Sequence, residues 1–223
     1  MYAILLSAGR IGSQTVSPVI AEYKNTAQGR IALTNDALVP MIVVLEAQSF
    51  SVAPNGDGIY RPLDSMIHVE VSSKSARVDP GETYYVFYKA RADTLPAWFT
   101  IYSAFSPAKS KPGVSVRILL PHTVYIYPRH HKSKGNDVET IEATYSKESG
   151  KIVCEIANKT GDLERVEEVR VVSKSYSLMS PGFPLLPGTK RRVELEWKER
   201  EAPREFVLRM HRSTVSIRLS TIS

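Results

Sequence analysis

The sequence predicts an all-β chain of two tandem β-sandwiches. Three observations carry this: apolar and polar residues alternate along nearly the whole chain, no segment sustains a helical period, and turn signals recur every 8–12 residues or so. The 223 residues suit two domains of roughly 100 residues each. Hydrophobic content of 43% with 23% charged residues argues against disorder. No apolar run approaches the roughly 20 residues of a transmembrane helix.

The opening "MYAILLSAGRIGSQ" is an apolar run followed by small residues, similar to the end of a secretory signal but without a basic n-region. Residues 1–14 are therefore read as a signal remnant or disordered start, with the mature chain beginning near Gln14. The first domain, residues 15–130, contains the strands "SPVIAEYK", "GRIALTND", "VPMIVVLEAQSF", "HVEVSSKSARVDP", "ETYYVFYKAR", "WFTIYSAFSP" and "SVRILLPHTVYIYPR". Between them lie "NGDG" at 55–58, "DPGE" at 79–82 and "SKPG" at 110–113, where Pro presets φ and Gly or Asn tolerates positive φ.

The polar, basic stretch "PRHHKSKGND" ends this domain, and its residues 131–137 read as a linker. The same pattern restarts in the second domain, residues 138–223. Its strands are "VETIEATYSK", "KIVCEIANK", "VEEVRVVSKSYS", "KRRVELEWK", "EFVLRMHR" and "TVSIRLS", with "SPGFPLLPGT" at 180–189 as a Pro/Gly-rich turn region. No 20- to 50-residue period repeats, which argues against a solenoid or propeller.

Little in the chain suggests bond chemistry. The net charge of +6 is concentrated before Gly135, with 14 Lys+Arg against 9 Asp+Glu there and 15 against 14 after it. These charges are scattered and lack the basic-aromatic clustering of nucleic-acid binders, so solubility accounts for them better. The lone Cys154 can form no intrachain disulfide and reads as a small buried hydrophobe. His68, His122, His130, His131 and His211 make no metal-ligand spacing, and G-x-S-x-G, P-loop and dinucleotide fingerprints are absent. "GDLERVEE" at 161–168 suits an exposed loop, and Asn158-Lys159-Thr160 matches a glycosylation sequon of the kind that arises by chance. We read no enzyme, no cofactor and no metal site.

The last strand of the first domain is unusual. In "SVRILLPHTVYIYPR" the even positions Val116, Ile118, Leu120, Val124 and Ile126 are apolar, and Val114 extends the series. Periodicity alone fits a plain last sandwich strand with a core face. The length of the run, its "YPR" ending and the linker that follows it point instead to a strand partly offered to something else.

The ordered set "SPVIAEYK", "RIALTNDALVPMIVVLEAQSF", "VDPGETYYVFYKA", "LPAWFTIYSAFSP" and the strand ending "YIYPR" resembles the PapD-like periplasmic chaperones of pilus and fimbrial assembly. The resemblance covers residues 16–129 in order and spacing, and the second half only in length and strand pattern. It implies two immunoglobulin-like sandwiches and a function in which the last strand of the first domain completes an unfinished secreted subunit by β-augmentation. The subunit-binding residues are then Val114, Val116, Ile118 and Leu120, with Val124 and Ile126 turned to the domain's own core beyond Pro121, where a break or an edge position is expected. The expected partners are pilus or fimbrial subunits and an outer-membrane usher, the location is the periplasm, and the apolar strand predicts self-capping as a homodimer.

The family's paired arginine and lysine, which hold a client carboxylate, fall at about Val19 and Tyr125 in this sequence. Neither can supply the charge. Lys24, Arg117 and Arg129 are the nearest basic substitutes, Arg129 at the domain junction in the order Pro-Arg. Two rivals remain: a structural or adhesive pair of sandwiches that lends no strand, and a sugar-binding or hydrolytic sandwich. The second lacks a carboxylate pair, and Trp98 and Trp197 are far apart in sequence.

Overall fold

A computed structural model describes residues 13–109, 116–129, 138–210 and 213–222. Residues 1–12, Val114 and the linker expected at 131–137 lie outside the described residues. The described chain is all-β and groups into two compact units. The first takes residues up to Ser49 together with Arg61–Arg129, and the second takes Phe50–Tyr60 together with the residues from His130 onward.

The first sandwich is built from β1 (Gln14–Ser17), β2 (Ile20–Lys24), β3 (Ala27–Asn35), β4 (Met41–Val52), β5 (Gly58–Pro62), β6 (Ile67–Val71), β7 (Ser75–Val78), β8 (Thr83–Ala92), β9 (Ala97–Pro107) and β10 (Ile118–Tyr127). One sheet has the order β1-β3-β8-β6 and the other β2-β10-β9-β4-β5, with β7 also paired to β4. Inward-facing residues of both sheets, among them Ile31, Leu33, Val86, Phe99, Ile101, Phe105, Val124 and Ile126, form one buried cluster. Burying a side chain of this size is worth about 1.5–3 kcal/mol, so this cluster is the main term holding the two sheets together.

Two expected strands prove to span two elements each. "SPVIAEYK" shares only Ser17 with β1, which begins before it at Gln14 and pairs with β3, while its remainder forms β2 in the other sheet, paired with β10. "HVEVSSKSARVDP" likewise divides into β6, which pairs with β8, and β7, which pairs with β4. A strand that has to change sheets needs a break that alternation does not signal.

The second sandwich comprises β11 (Val138–Ser146), β12 (Lys151–Asn158), β13 (Glu164–Val172), β14 (Ser177–Leu185), β15 (Lys190–Glu196), β16 (Glu205–Met210), β17 (Thr214–Arg218) and β18 (Ser220–Ile222). Its sheets run β15-β12-β11-β18 and β14-β13-β16-β17 around Ile152, Cys154, Ile156, Val169, Leu185, Phe206 and Leu208. The expected turn region 180–189 is corrected in its first part, since β14 runs through it to Leu185, and the turn is confined to residues 186–189. Pro181 and Pro184 are tolerated because β14 is an edge strand. Gly182 is required because a Cβ there would lie 1.9 Å from the Val166 carbonyl oxygen.

Both sandwiches are closed by the same device. At the end of β3, Asn35 donates from Nδ2 to the carbonyls of Val39 and Val78 at 2.9 and 3.0 Å, while its Oδ1 accepts from the Ala37 N–H. At the end of β12, Asn158 donates to the carbonyls of Asp162 and Leu185 at 2.8 and 2.9 Å and accepts from the Thr160 N–H. Each is followed in the fold by a Pro-Gly turn, Pro80-Gly81 or Pro187-Gly188, whose glycine has φ of 74° or 68°, as a type II turn demands at its third position. Asn158 is buried and both its amide hydrogens are engaged, so the apparent sequon serves the loop rather than a glycan.

Cys154 is fully buried, and desolvation first, then the Glu155 charge, pushes its thiol up to about 12. Thiolate is the reactive form. The native protein is therefore expected to resist alkylation at pH 8 and to react in denaturant at least about a hundredfold faster, as mass spectrometry would record. Labelling at equal rates in both states would show that this sandwich opens readily.

Candidate functional site

Strand β10 has one side fully paired and the other only half paired. Against β9 it runs antiparallel without interruption from Ile118↔Phe105 to Ile126↔Ala97. Against β2 it runs parallel, but only from Thr123↔Ile20 to Tyr127↔Lys24. Among the described residues no strand pairs with β10 on that side before Thr123.

The direction of each main-chain group follows from strand alternation. The Thr123 N–H donates to the Val19 carbonyl at 2.8 Å and the Tyr127 carbonyl accepts from the Asn25 N–H, so odd-numbered residues point their N–H and C=O toward the β2 side. Leu119 and Pro121 therefore aim at the open edge, and Arg117 precedes them with the same parity. Pro121 sits inside a continuous strand without costing a bond to β9, because its missing N–H falls on this edge. Of the two outcomes expected at Pro121, the edge position is the one found.

Side chains follow the same alternation on the two faces. Val124 and Ile126 are fully buried in the core, as expected. Ile118 and Leu120 are half-buried and lie against the margin of that cluster. Val116 and Leu119 are 57% and 55% exposed. The open half of the strand thus carries apolar side chains that its own sandwich covers only in part. Of the basic residues considered, Lys24, Arg117 and Arg129 are all exposed. Val19, at the expected arginine position, is 55% exposed, and Tyr125, at the expected lysine position, is buried.

His122 marks the boundary between the two halves. It occupies the core-facing even series and is completely buried. Its Nδ1 lies 2.6 Å from the Pro18 carbonyl, its Nε2 lies 3.0 Å from the Tyr88 hydroxyl, and the Tyr88 and Tyr23 hydroxyls are 2.9 Å apart. A carbonyl can only accept, so Nδ1 carries the proton, Nε2 accepts from Tyr88, and Tyr88 accepts from Tyr23. Burial holds the His122 imidazole below its ordinary pKa, and burial with the Tyr23 hydroxyl holds the Tyr88 phenol well above the usual range. Treating the histidines only as candidate metal ligands overlooks this role. The signal was present, since the even apolar series passes through position 122 and a histidine there must face the core.

Neither a protein-family model nor a curated protein matches the sequence. Solved structures do match in shape. The YadV chaperone aligns over 92% of this chain and 99% of its own, with a TM-score of 0.58 and 11% identity. The E. coli chaperone DraB aligns over 94% and 98% with a TM-score of 0.56 and 14% identity, and the Salmonella enterica SafA pilin–SafB chaperone complex over 95% and 99% with 0.57 and 12%. The fold is that of fimbrial chaperones. The expected pair of immunoglobulin-like sandwiches is therefore found. At these identities the likeness extends to architecture alone.

Proposed function

We propose that this protein is a periplasmic chaperone that binds and caps secreted pilus or fimbrial subunits before their assembly at the outer membrane. It would do so by donating a β-strand from residues 114–126. The observation that carries the reading is the open half of β10, which combines unpaired main-chain groups with apolar side chains only partly covered by their own core. Such an edge supplies main-chain hydrogen bonds for affinity and alternate side chains for specificity. Val114, Val116, Ile118 and Leu120 are the residues proposed to enter the subunit. Lys24, Arg117 and Arg129, all exposed, are the basic residues proposed for any client carboxylate. The mechanism requires no cofactor and no covalent chemistry, and an outer-membrane usher is the natural receiver. Left unoccupied, the same edge favours pairing with a second copy of the chain.

The test is capture from an envelope extract by the mature protein and by its Ile118→Asp, Leu120→Asp variant, once circular dichroism shows both to be folded. Capture of small β-rich subunits is expected to fall by about a hundredfold or more, since two buried aliphatic contacts of about 2 kcal/mol each are replaced by charges. Equal capture by both proteins would favour the structural or adhesive reading, as would unfolding by Ile118→Asp alone.

A further inference from the structure

Leu119 differs from the other apolar residues of the open half. Even-numbered residues of β10 face the core, so Leu119 projects from the opposite, outer face of the sheet, where it is exposed. On that face the register sets it beside Ala104 of β9 and, one strand further, Val44 of β4, which is also exposed. Ala104 is too short to cover Leu119. The rungs on either side run from Pro121 through Tyr102 to Glu46, and from Ser106 through Ile42 to Arg77. Leu119, Ala104 and Val44 thus form an aliphatic row between more polar ones, and it ends at the open edge.

The chain's own β2 shows what a strand on this edge contributes. Its register sets Ile20, Glu22 and Lys24 beside the outer-face residues Thr123, Tyr125 and Tyr127, and the Tyr127 hydroxyl donates to Glu22 Oε1 at 3.1 Å. Among the described residues no strand supplies such a neighbour to Leu119. Any strand that pairs there, in either direction, sets one side chain about 5 Å from the Leu119 Cβ on the outer face. Its two flanking side chains then lie on the inner face with Ile118 and Leu120.

We propose that Leu119 is a specificity-determining residue of the open edge, selecting an incoming subunit strand that carries three consecutive apolar residues. The middle one packs on Leu119 and extends the aliphatic row, and its two neighbours meet Ile118 and Leu120. The proposal rests on the strand-donation reading and narrows it. A strand that merely alternates would satisfy Ile118 and Leu120 but set a polar side chain against Leu119.

The experiment compares capture from an envelope extract by the wild type, Leu119→Ile and Leu119→Asp, each with its urea midpoint, and a further protein carries photoreactive p-benzoylphenylalanine in place of Leu119. Leu119→Ile should capture as the wild type does, within about twofold, and Leu119→Asp at least about fivefold less. Urea midpoints should not change, because the side chain is exposed. Mass spectrometry of the captured subunit should place the cross-link on the middle residue of an apolar run of three. Equal capture by Leu119→Asp would overturn the proposal, and so would a cross-link to a polar residue. A lower urea midpoint for Leu119→Asp would also overturn it, because Leu119 would then be serving the fold. If Leu119→Asp keeps the subunits that the Ile118→Asp, Leu120→Asp variant loses, the strand-donation reading stands and the role of Leu119 falls. If the wild type captures no subunit, both fall.

Discussion

Replacing Asn35 or Asn158 by alanine is expected to lower the stability of the sandwich that contains it by about 3 kcal/mol. Each amide is itself buried, donates to two carbonyls and accepts one N–H. Alanine would remove all three bonds at each site, although the Asp162 carbonyl would keep its bond from the Thr160 hydroxyl at 3.3 Å. A buried unsatisfied group costs about 1–3 kcal/mol, and partial access of water to the loosened loops reduces the sum. Aspartate should be no better, because a carboxylate cannot donate to the Val39 and Val78 carbonyls, or to those of Asp162 and Leu185. Trp98 lies in the first unit and Trp197 in the second, so urea unfolding followed by tryptophan fluorescence in single-tryptophan variants reports each sandwich separately. A loss below about 1 kcal/mol in either one would mean that the asparagine is incidental to loop closure.

Removing His122 should weaken the first sandwich by a comparable amount and also change its response to acid. In His122→Phe the Pro18 carbonyl and the Tyr88 hydroxyl lose their partner, for a cost of about 2–3 kcal/mol. The acid response follows from proton binding. The imidazole of the unfolded chain takes up a proton near its ordinary value of 6.5, whereas burial lowers that value in the folded state. Between the two values the unfolded state binds more protons, so stability rises with pH. The His122 contribution is therefore complete above about pH 6.5 and declines as pH falls below it, until the folded protein is protonated too. The groups facing the imidazole are the Pro18 carbonyl and the Tyr88 hydroxyl, with Tyr23 behind Tyr88, and none of them is a carboxylate that would offset the charge. Urea midpoints from pH 7.5 to 5 should fall for the wild type and stay flatter for His122→Phe. Parallel curves would show that other groups govern the acid response.

How far the fold could be read from the chain varies from segment to segment. β3, β8, β9 and β12 lie inside their predicted segments or within a residue or two of them, because one buried face imposes strict alternation on a half-buried strand. The edge strand β5 was not anticipated. All five of its residues are exposed, so no buried face marks it in the sequence. The first part of β14 reads as a turn in the sequence because prolines and a glycine usually interrupt strands, but an unpaired edge removes the penalty for a missing N–H.

At the candidate site, the sequence by itself determined that a long strand with one apolar series precedes the break between the two domains, and that Val124 and Ile126 belong to the core. It also determined the composition of the boundary, since Pro18, Pro121 and His122 are simply there to be read. Only the tertiary structure decided that β1 leaves for the other sheet, that β2 returns in parallel register beginning at Thr123↔Ile20, and that the Pro18 carbonyl comes to lie against the buried His122 ring. The physical reason is that alternation reports which face of a strand is buried. It carries no information about which neighbour, if any, takes up the hydrogen bonds along each edge.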